Sequence, residues 1–223
     1  MGFLDNLKQQ AEALKSQQSL DTATLARNAL LVDAACKTTF QYWMELAPQL
    51  NVLQPRTRVR YSLDNRTPLD NLVRGDFRVD SRRRRLRDQE VCDHVVLHGV
   101  QKSGQTLTLV KDFPPEIERL EARLHQGGIT PDVTTVRDPD KGRLQEVRYT
   151  FKADLVIAVR LLPNHDLGTL RFQMSNFDGF ETVTAEFPAH KVGSALLDEL
   201  ARWITGEPHQ FLKEATDRKL VEA

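Results

Sequence analysis

Between residues 22 and 47 apolar or small side chains recur alternately every four and three residues: Leu25, Ala29, Val32, Cys36, Thr39, Trp43 and Leu46. That step lines them up along one stripe of an α-helix, and Pro48 is expected to end it. Leu30, Leu31, Phe40 and Met44 widen the stripe, which predicts a helix lying across a sheet. Fewer than four heptads are present, so packing within the chain is preferred to a coiled-coil dimer. Upstream, Phe3, Leu4, Leu7, Ala11 and Leu14 share one side over residues 3–17. They predict a second, short amphipathic helix folded back beside the long one. Its polar side balances two lysines with two acids, which suits docking on protein rather than on a lipid surface.

After Pro55 the period shortens to two. Arg56, Arg58 and Arg60 alternate with Val59, Tyr61 and Leu63, predicting a strand; Phe77 and Val79 mark a second, with residues 82–85 at its end or in the following loop. Residues 91–100 and 106–110 read as a hairpin closed by Lys102-Ser103-Gly104-Gln105. Pro114-Pro115-Glu116 starts a helix with Ile117, Leu120 and Leu124 inward, and Gly127-Gly128 ends it. Residues 130–142 are polar and are expected to form the most mobile loop. Phe151, Ala153, Leu155, Ile157, Val159 and Leu161 alternate as one strand, followed by Leu170, Phe172 and Met174 and by Val183, Ala185 and Phe187. Short turns at 164–166 and 177–179 join these as an antiparallel meander. Val192, Leu196, Leu200 and Ile204 then form a helix closed by Gly206. The predicted fold is α+β: an N-terminal helical pair (1–50) packed on a domain (51–223) whose mainly antiparallel sheet of about seven strands is covered by two further helices.

Composition changes this picture little, and charge changes it more. Two cysteines in a chain of 223 residues do not make a disulfide framework, which predicts a reduced, cytoplasmic protein. Asp5, Lys8, Glu12 and Lys15 interrupt the first twenty positions as a secretion signal would not allow, and no apolar run approaches the ~20 residues that span a bilayer. The formal net charge is zero, yet residues 56–87 hold eleven arginines against four acids. Of these, Arg56, Arg58, Arg60 and Arg78 alternate on strands and are expected to pair with acids across the sheet. Arg82, Arg83, Arg84 and Arg85 are consecutive and cannot all share one strand face.

The candidate chemistry is sparse. Residues 99–106 approximate a phosphate loop, but Gln105 stands where the lysine is needed and a strand follows where a helix is needed. Cys92, His94 and His98 are placed on one strand face by their even spacing, with Cys92 and His94 ~6.6 Å apart; a zinc site needs more ligands. The turn at 138–142 lacks the later ligands of a calcium loop. No catalytic constellation emerges, and no cofactor or metal is implied. The expectation is a non-catalytic binding or assembly protein, an adaptor or scaffold, that recognises an acidic protein partner or itself through Arg82, Arg83, Arg84, Arg85 and Arg87. The alternatives are a nucleic-acid-binding module using residues 56–87, and a small-molecule binder or enzyme with a pocket between the long helix and the sheet.

Overall fold

A computed structural model describes residues 3–64, 66–137 and 144–222, so the turn at 138–142 falls outside the described residues. The chain begins with one helix, α1 (Phe3–Leu53), where a pair was expected. No glycine or proline occurs between Phe3 and Ala47, so nothing in the chain breaks the helix between its two apolar stripes. It also runs through Pro48. Proline removes one intrahelical hydrogen bond, and the contacts of the last turn offset that loss. Leu50 is buried in the core. The Asn51 side chain accepts from the Phe77 amide at 2.7 Å and donates to the Phe77 carbonyl at 3.0 Å.

From Val32 onward the stripe is inward as expected, with Val32, Ala35, Cys36, Thr39, Trp43, Ala47 and Leu50 buried. Thr39 is tolerated there because its hydroxyl donates to the Ala35 carbonyl at 2.9 Å. The stripe widens only at Phe40, which packs partly buried against the core; Leu30 is 70% exposed, Met44 50% and Leu31 38%.

Among the described residues eleven strands follow, all paired antiparallel: β1 (Tyr61–Ser62), β2 (Pro68–Leu69), β3 (Val73–Leu86), β4 (Gln89–Lys102), β5 (Thr106–Lys111), β6 (Asp132–Arg137), β7 (Leu144–Lys152), β8 (Leu155–Asn164), β9 (Thr169–Ser175), β10 (Glu181–Pro188) and β11 (Asp217–Glu222). They form three sheets in place of the single one expected: six strands in the order β11-β10-β9-β8-β4-β3, three in the order β5-β7-β6, and the small pair β1-β2. Two more helices, α2 (Pro114–Gln126) and α3 (Ser194–Thr205), complete the described chain with short 3-10 turns. Gly206, at φ 79°, ends α3 as expected.

The expected hairpin of residues 91–110 does not form. β4 pairs with β8 up to Gln101↔Leu155, and β5 pairs with β7 from Thr106↔Lys152. The two runs are thus the arms of one antiparallel ribbon that bends between the six-stranded and three-stranded sheets. The same bend splits the expected strand over Phe151–Leu161 into β7 and β8. Alternation cannot reveal the break, because Ala153 preserves the inward parity on both sides of it. Phe151, Ala153 and Leu155 face one core, while Ile157, Val159 and Leu161 face the other.

The first core lies between the six-stranded sheet and the layer of α1 and α3, with Trp43 edge-on to Phe172 at 6.4 Å and Phe172 edge-on to Phe187 at 5.7 Å. In the second, Leu120 and Leu124 of α2 join Tyr149 and Phe151 of β7 and Tyr61, Leu69 and Leu72. Only α3 therefore joins α1 on the large sheet; α2 covers the small one. Residues 56–60 are not a strand but meet β3 at one bridge, Arg56↔Val73. Residues 132–137 are a strand where the polar composition predicted loop, because pairing to β7 satisfies their backbone without burying their side chains.

A partly buried ion pair ties the β1–β2 turn to the second core. Lys111 Nζ lies 2.8 Å from Asp64 and 3.0 Å from Glu116 at the start of α2. Burial raises the Asp64 carboxyl, but Lys111 and the hydrogen bonds from Arg66 and Thr67 outweigh it and hold the group down to about 2. A folded-state value below the unfolded one contributes stability at pH above the unfolded value, and that contribution is lost as pH falls. Acid titration of stability between about pH 4 and pH 2 should therefore show a loss of ~2 kcal/mol at this site. Asp64→Asn should flatten that part of the curve, as measured by urea unfolding at each pH; an unchanged slope would contradict the assignment.

Candidate functional site

The six-stranded sheet has one face under α1 and α3 and one that no helix covers. β3 is its edge, and alternation along it sends Arg78, Asp80, Arg82 and Arg84 to the uncovered side and Val79, Ser81, Arg83 and Arg85 to the helix side. The register carries the uncovered face across the sheet in two rows. Asp80 aligns with Val96, Arg160, Gln173, Thr184 and Lys219. Arg78 aligns with His98, Ala158, Ser175, Thr182 and Val221. The far end is bounded by the end of α2, where Val156 N donates to the Gly127 carbonyl and Gln126 Nε2 to Thr182 Oγ1. The face is therefore an open, polar surface with basic side chains concentrated toward its β3 edge.

The expected site residues divide sharply when their partners are traced. Arg83 reaches Asp33 of α1 at 3.4 Å and Glu90 at 3.8 Å, on the helix side. Arg84 pairs with Asp93 at 3.5 Å, Arg85 with Asp88 at 3.0 Å, and Arg87 with Asp166 at 2.5 Å. Arg82, opposite His94, makes no ion pair among the described residues. Two arginines outside the expected site share that property on the same face, Arg78 and Arg160, and all three are exposed. The expectation that Arg78 pairs with an acid across the sheet is thus corrected: its neighbour on β4 is His98. Strand geometry puts Arg78, Arg82 and Arg160 at the corners of a triangle with sides of about 12 Å. Exposed charges on β3 also have a plain structural use, since they keep an open sheet edge from pairing with another chain.

Arg74 belongs to the same run of eleven and does something else entirely. It is 2% exposed and points inward. Its Nη1 donates to the Ile204 carbonyl at 2.6 Å, its Nη2 to the Phe177 carbonyl at 2.8 Å, and its Nε to Gln101 Oε1 at 3.0 Å. The guanidinium also sits 5.4 Å from the centre of the Phe177 ring. No carboxylate pairs with it among the described residues. The negative end of the α3 dipole and three acceptor oxygens stabilise the charge instead. Gln101 and Tyr61 extend the network to the Asn176 carbonyl, and Asn176 Nδ2 bonds the Gln126 and Val156 carbonyls. This buried polar seam joins the two cores.

The remaining sequence candidates come apart in the structure. An extra residue at Asp93 in β4 shifts the register, so Arg82 opposes His94 while Arg83 opposes Cys92. Cys92 therefore faces the helix layer, and His94 and His98 face the uncovered side; even spacing misled because the bulge changes the parity. No cluster of three or more metal-ligating side chains occurs among the described residues. Gly99, in the phosphate-loop-like stretch, lies mid-strand, where an added Cβ would come within 2.7 Å of the Phe77 ring. The main interval between α1 and the sheet is filled by Trp43, Leu97 and Phe172; a cavity of ≈180 Å³ lies at its β3 side, beside Cys36 and Cys92, and another of ≈140 Å³ lies between Leu25 and Ala29 of α1 and Leu86 and Val91. On the opposite face a groove of ≈320 Å³ is lined by Arg84, His165, Arg171 and Glu186, but Arg171 and Glu186 are paired at 3.0 Å.

No family model, curated protein or solved structure matches the chain. Among the described residues no helix is long and apolar enough to cross a membrane.

Proposed function

We propose that this chain is a non-catalytic binding protein that docks an acidic protein partner on the uncovered face of its six-stranded sheet. Arg78, Arg82 and Arg160 are the first contacts. The observation that carries this reading is the separation of the arginines into those already matched by carboxylates and these three exposed ones, which share a face without an ion pair. A free guanidinium keeps its full capacity for bidentate carboxylate recognition. Arg83, Arg84, Arg85 and Arg87 would each have to release an existing partner first.

The acidic protein is preferred to nucleic acid because the face lacks a stacking platform. Single-strand binders set aromatic side chains among their cations, whereas the two aligned rows here hold no Phe, Tyr or Trp.

Titration of the full chain with a fluorescent glutamate-rich peptide of about twenty residues, from about 20 mM to about 300 mM salt, tests the proposal. Binding that weakens steeply as salt rises is expected. Absence of binding at the lowest salt would overturn it. Tighter binding to a single-stranded oligonucleotide of the same charge would overturn it in favour of nucleic acid.

A further inference from the structure

The molecule's two cysteines, far apart in sequence, meet at the packing of α1 on β4. Both are buried, at 2% and 5% exposure. The bulge at Asp93 turns Cys92 toward the helix, and the stripe of α1 turns Cys36 toward the sheet. Asp33, one turn before Cys36, anchors this contact: its Oδ1 accepts from the Cys92 amide at 3.1 Å and lies 3.4 Å from Arg83 Nη2. A cavity of ≈180 Å³ lies beside the pair, with Asp33, Lys37, Phe40 and Arg83 in its wall. Lys37 and Arg83 are exposed, so the wall reaches the surface. Two buried thiols thus share a side cavity large enough for a water-sized reagent.

We propose that Cys36 and Cys92 form an oxidative modification site, at which a small peroxide converts the two thiols into a disulfide that staples α1 to β4.

The two thiols line the same cavity and belong to the same core cluster, and their acidities diverge there. Interaction with Cys36 holds the Cys92 thiol below its ordinary value against the opposing effect of burial, and Arg83 adds to the effect. Cys36 is pushed well up by the same interaction and then by burial. Cys92 is thus the attacking sulfur. Its thiolate attacks one oxygen of the peroxide, the O–O bond breaks, and the product is a Cys92 sulfenic acid with one water released. Cys36 then attacks that sulfur, loses its proton, and displaces the oxygen as a second water. Two electrons pass from sulfur to the peroxide oxygens, two S–H bonds are lost, and one S–S bond forms. The cross-link draws the two sulfurs beside the cavity together to an S–S length of about 2.05 Å. This inference is independent of the reading of the uncovered sheet face, which lies on the opposite side of β4.

The full chain treated with hydrogen peroxide and then unfolded in an alkylating reagent gives the test. The account expects an intact mass lowered by about 2 Da with no thiol left to alkylate. A linked peptide pair containing Cys36 and Cys92 and a melting temperature raised by about 5 °C or more, reversed by dithiothreitol, should accompany it. Cys36→Ala, a substitution between small apolar side chains, should abolish the linked pair. Retention of both thiols in the wild type, gain of oxygen without cross-linking, or a cross-link only between chains would each overturn the proposal.

Discussion

Arg74→Ala is expected to cost about 3–5 kcal/mol of folding stability in urea unfolding at neutral pH, the largest effect of any single arginine in this chain. The size follows from what remains behind. The carbonyls of Phe177 and Ile204 and the Gln101 side-chain oxygen lose their donor where Arg74 was buried, and each unsatisfied acceptor is costly when buried. Deletion of the side chain also opens a cavity between the end of α3 and the β9–β10 turn. Arg74→Met separates these contributions, since it restores volume without donors; most of the loss should persist. Arg78→Ala is the matching control: it is exposed and unpaired and should change stability by less than about 0.5 kcal/mol. Equal effects of the two substitutions would mean that the buried network contributes nothing particular to Arg74.

Arg74 also marks the limit of what the sequence made legible. It was one of eleven arginines in a run, and its composition is that of a basic surface. The only local hint is its placement between Leu72 and Phe77, in a stretch whose neighbours are apolar. The two carbonyls that it satisfies, on Phe177 and Ile204, lie more than a hundred positions away, and no local pattern encodes them. The antiparallel meander β8-β9-β10 and the helices α2 and α3 were legible, because their periodicity and their glycine or proline boundaries are local. The bent ribbon was not, because Ala153 keeps the inward alternation unbroken through the bend. The same holds at Asp93, where one extra residue reverses the side on which Cys92 lies relative to His94. Pro48 misled in the opposite direction: the rule that proline ends a helix yielded to the clasp of Asn51 on Phe77. For the candidate surface, the sequence singled out residues 82–85 and Arg87, of which the proposed contacts keep Arg82 alone. Their partners Asp33, Asp93 and Asp166 come from other elements, so pairing could not be read locally, and Arg160 is seventy-eight positions from Arg82.

The second large effect concerns recognition. Reversal of charge at Arg78, Arg82 and Arg160 together should lower affinity for an acidic peptide by about 100-fold at low salt while the thermal unfolding of the chain is retained. Stability is preserved because all three side chains are exposed and hold no carboxylate, so no partner is left unmatched. Reversal at Arg83 and Arg85 acts on the other side of β3, where it places like charges beside Asp33, Glu90 and Asp88. That variant should lose some stability and little affinity.

Parallel binding isotherms for the wild type, Arg78→Glu/Arg82→Glu/Arg160→Glu and Arg83→Glu/Arg85→Glu, titrated with the same glutamate-rich peptide at one low salt concentration, therefore test the central claim most directly. A steep loss confined to the first variant is the predicted result; an equal loss in both, or wild-type affinity in the first, would contradict it.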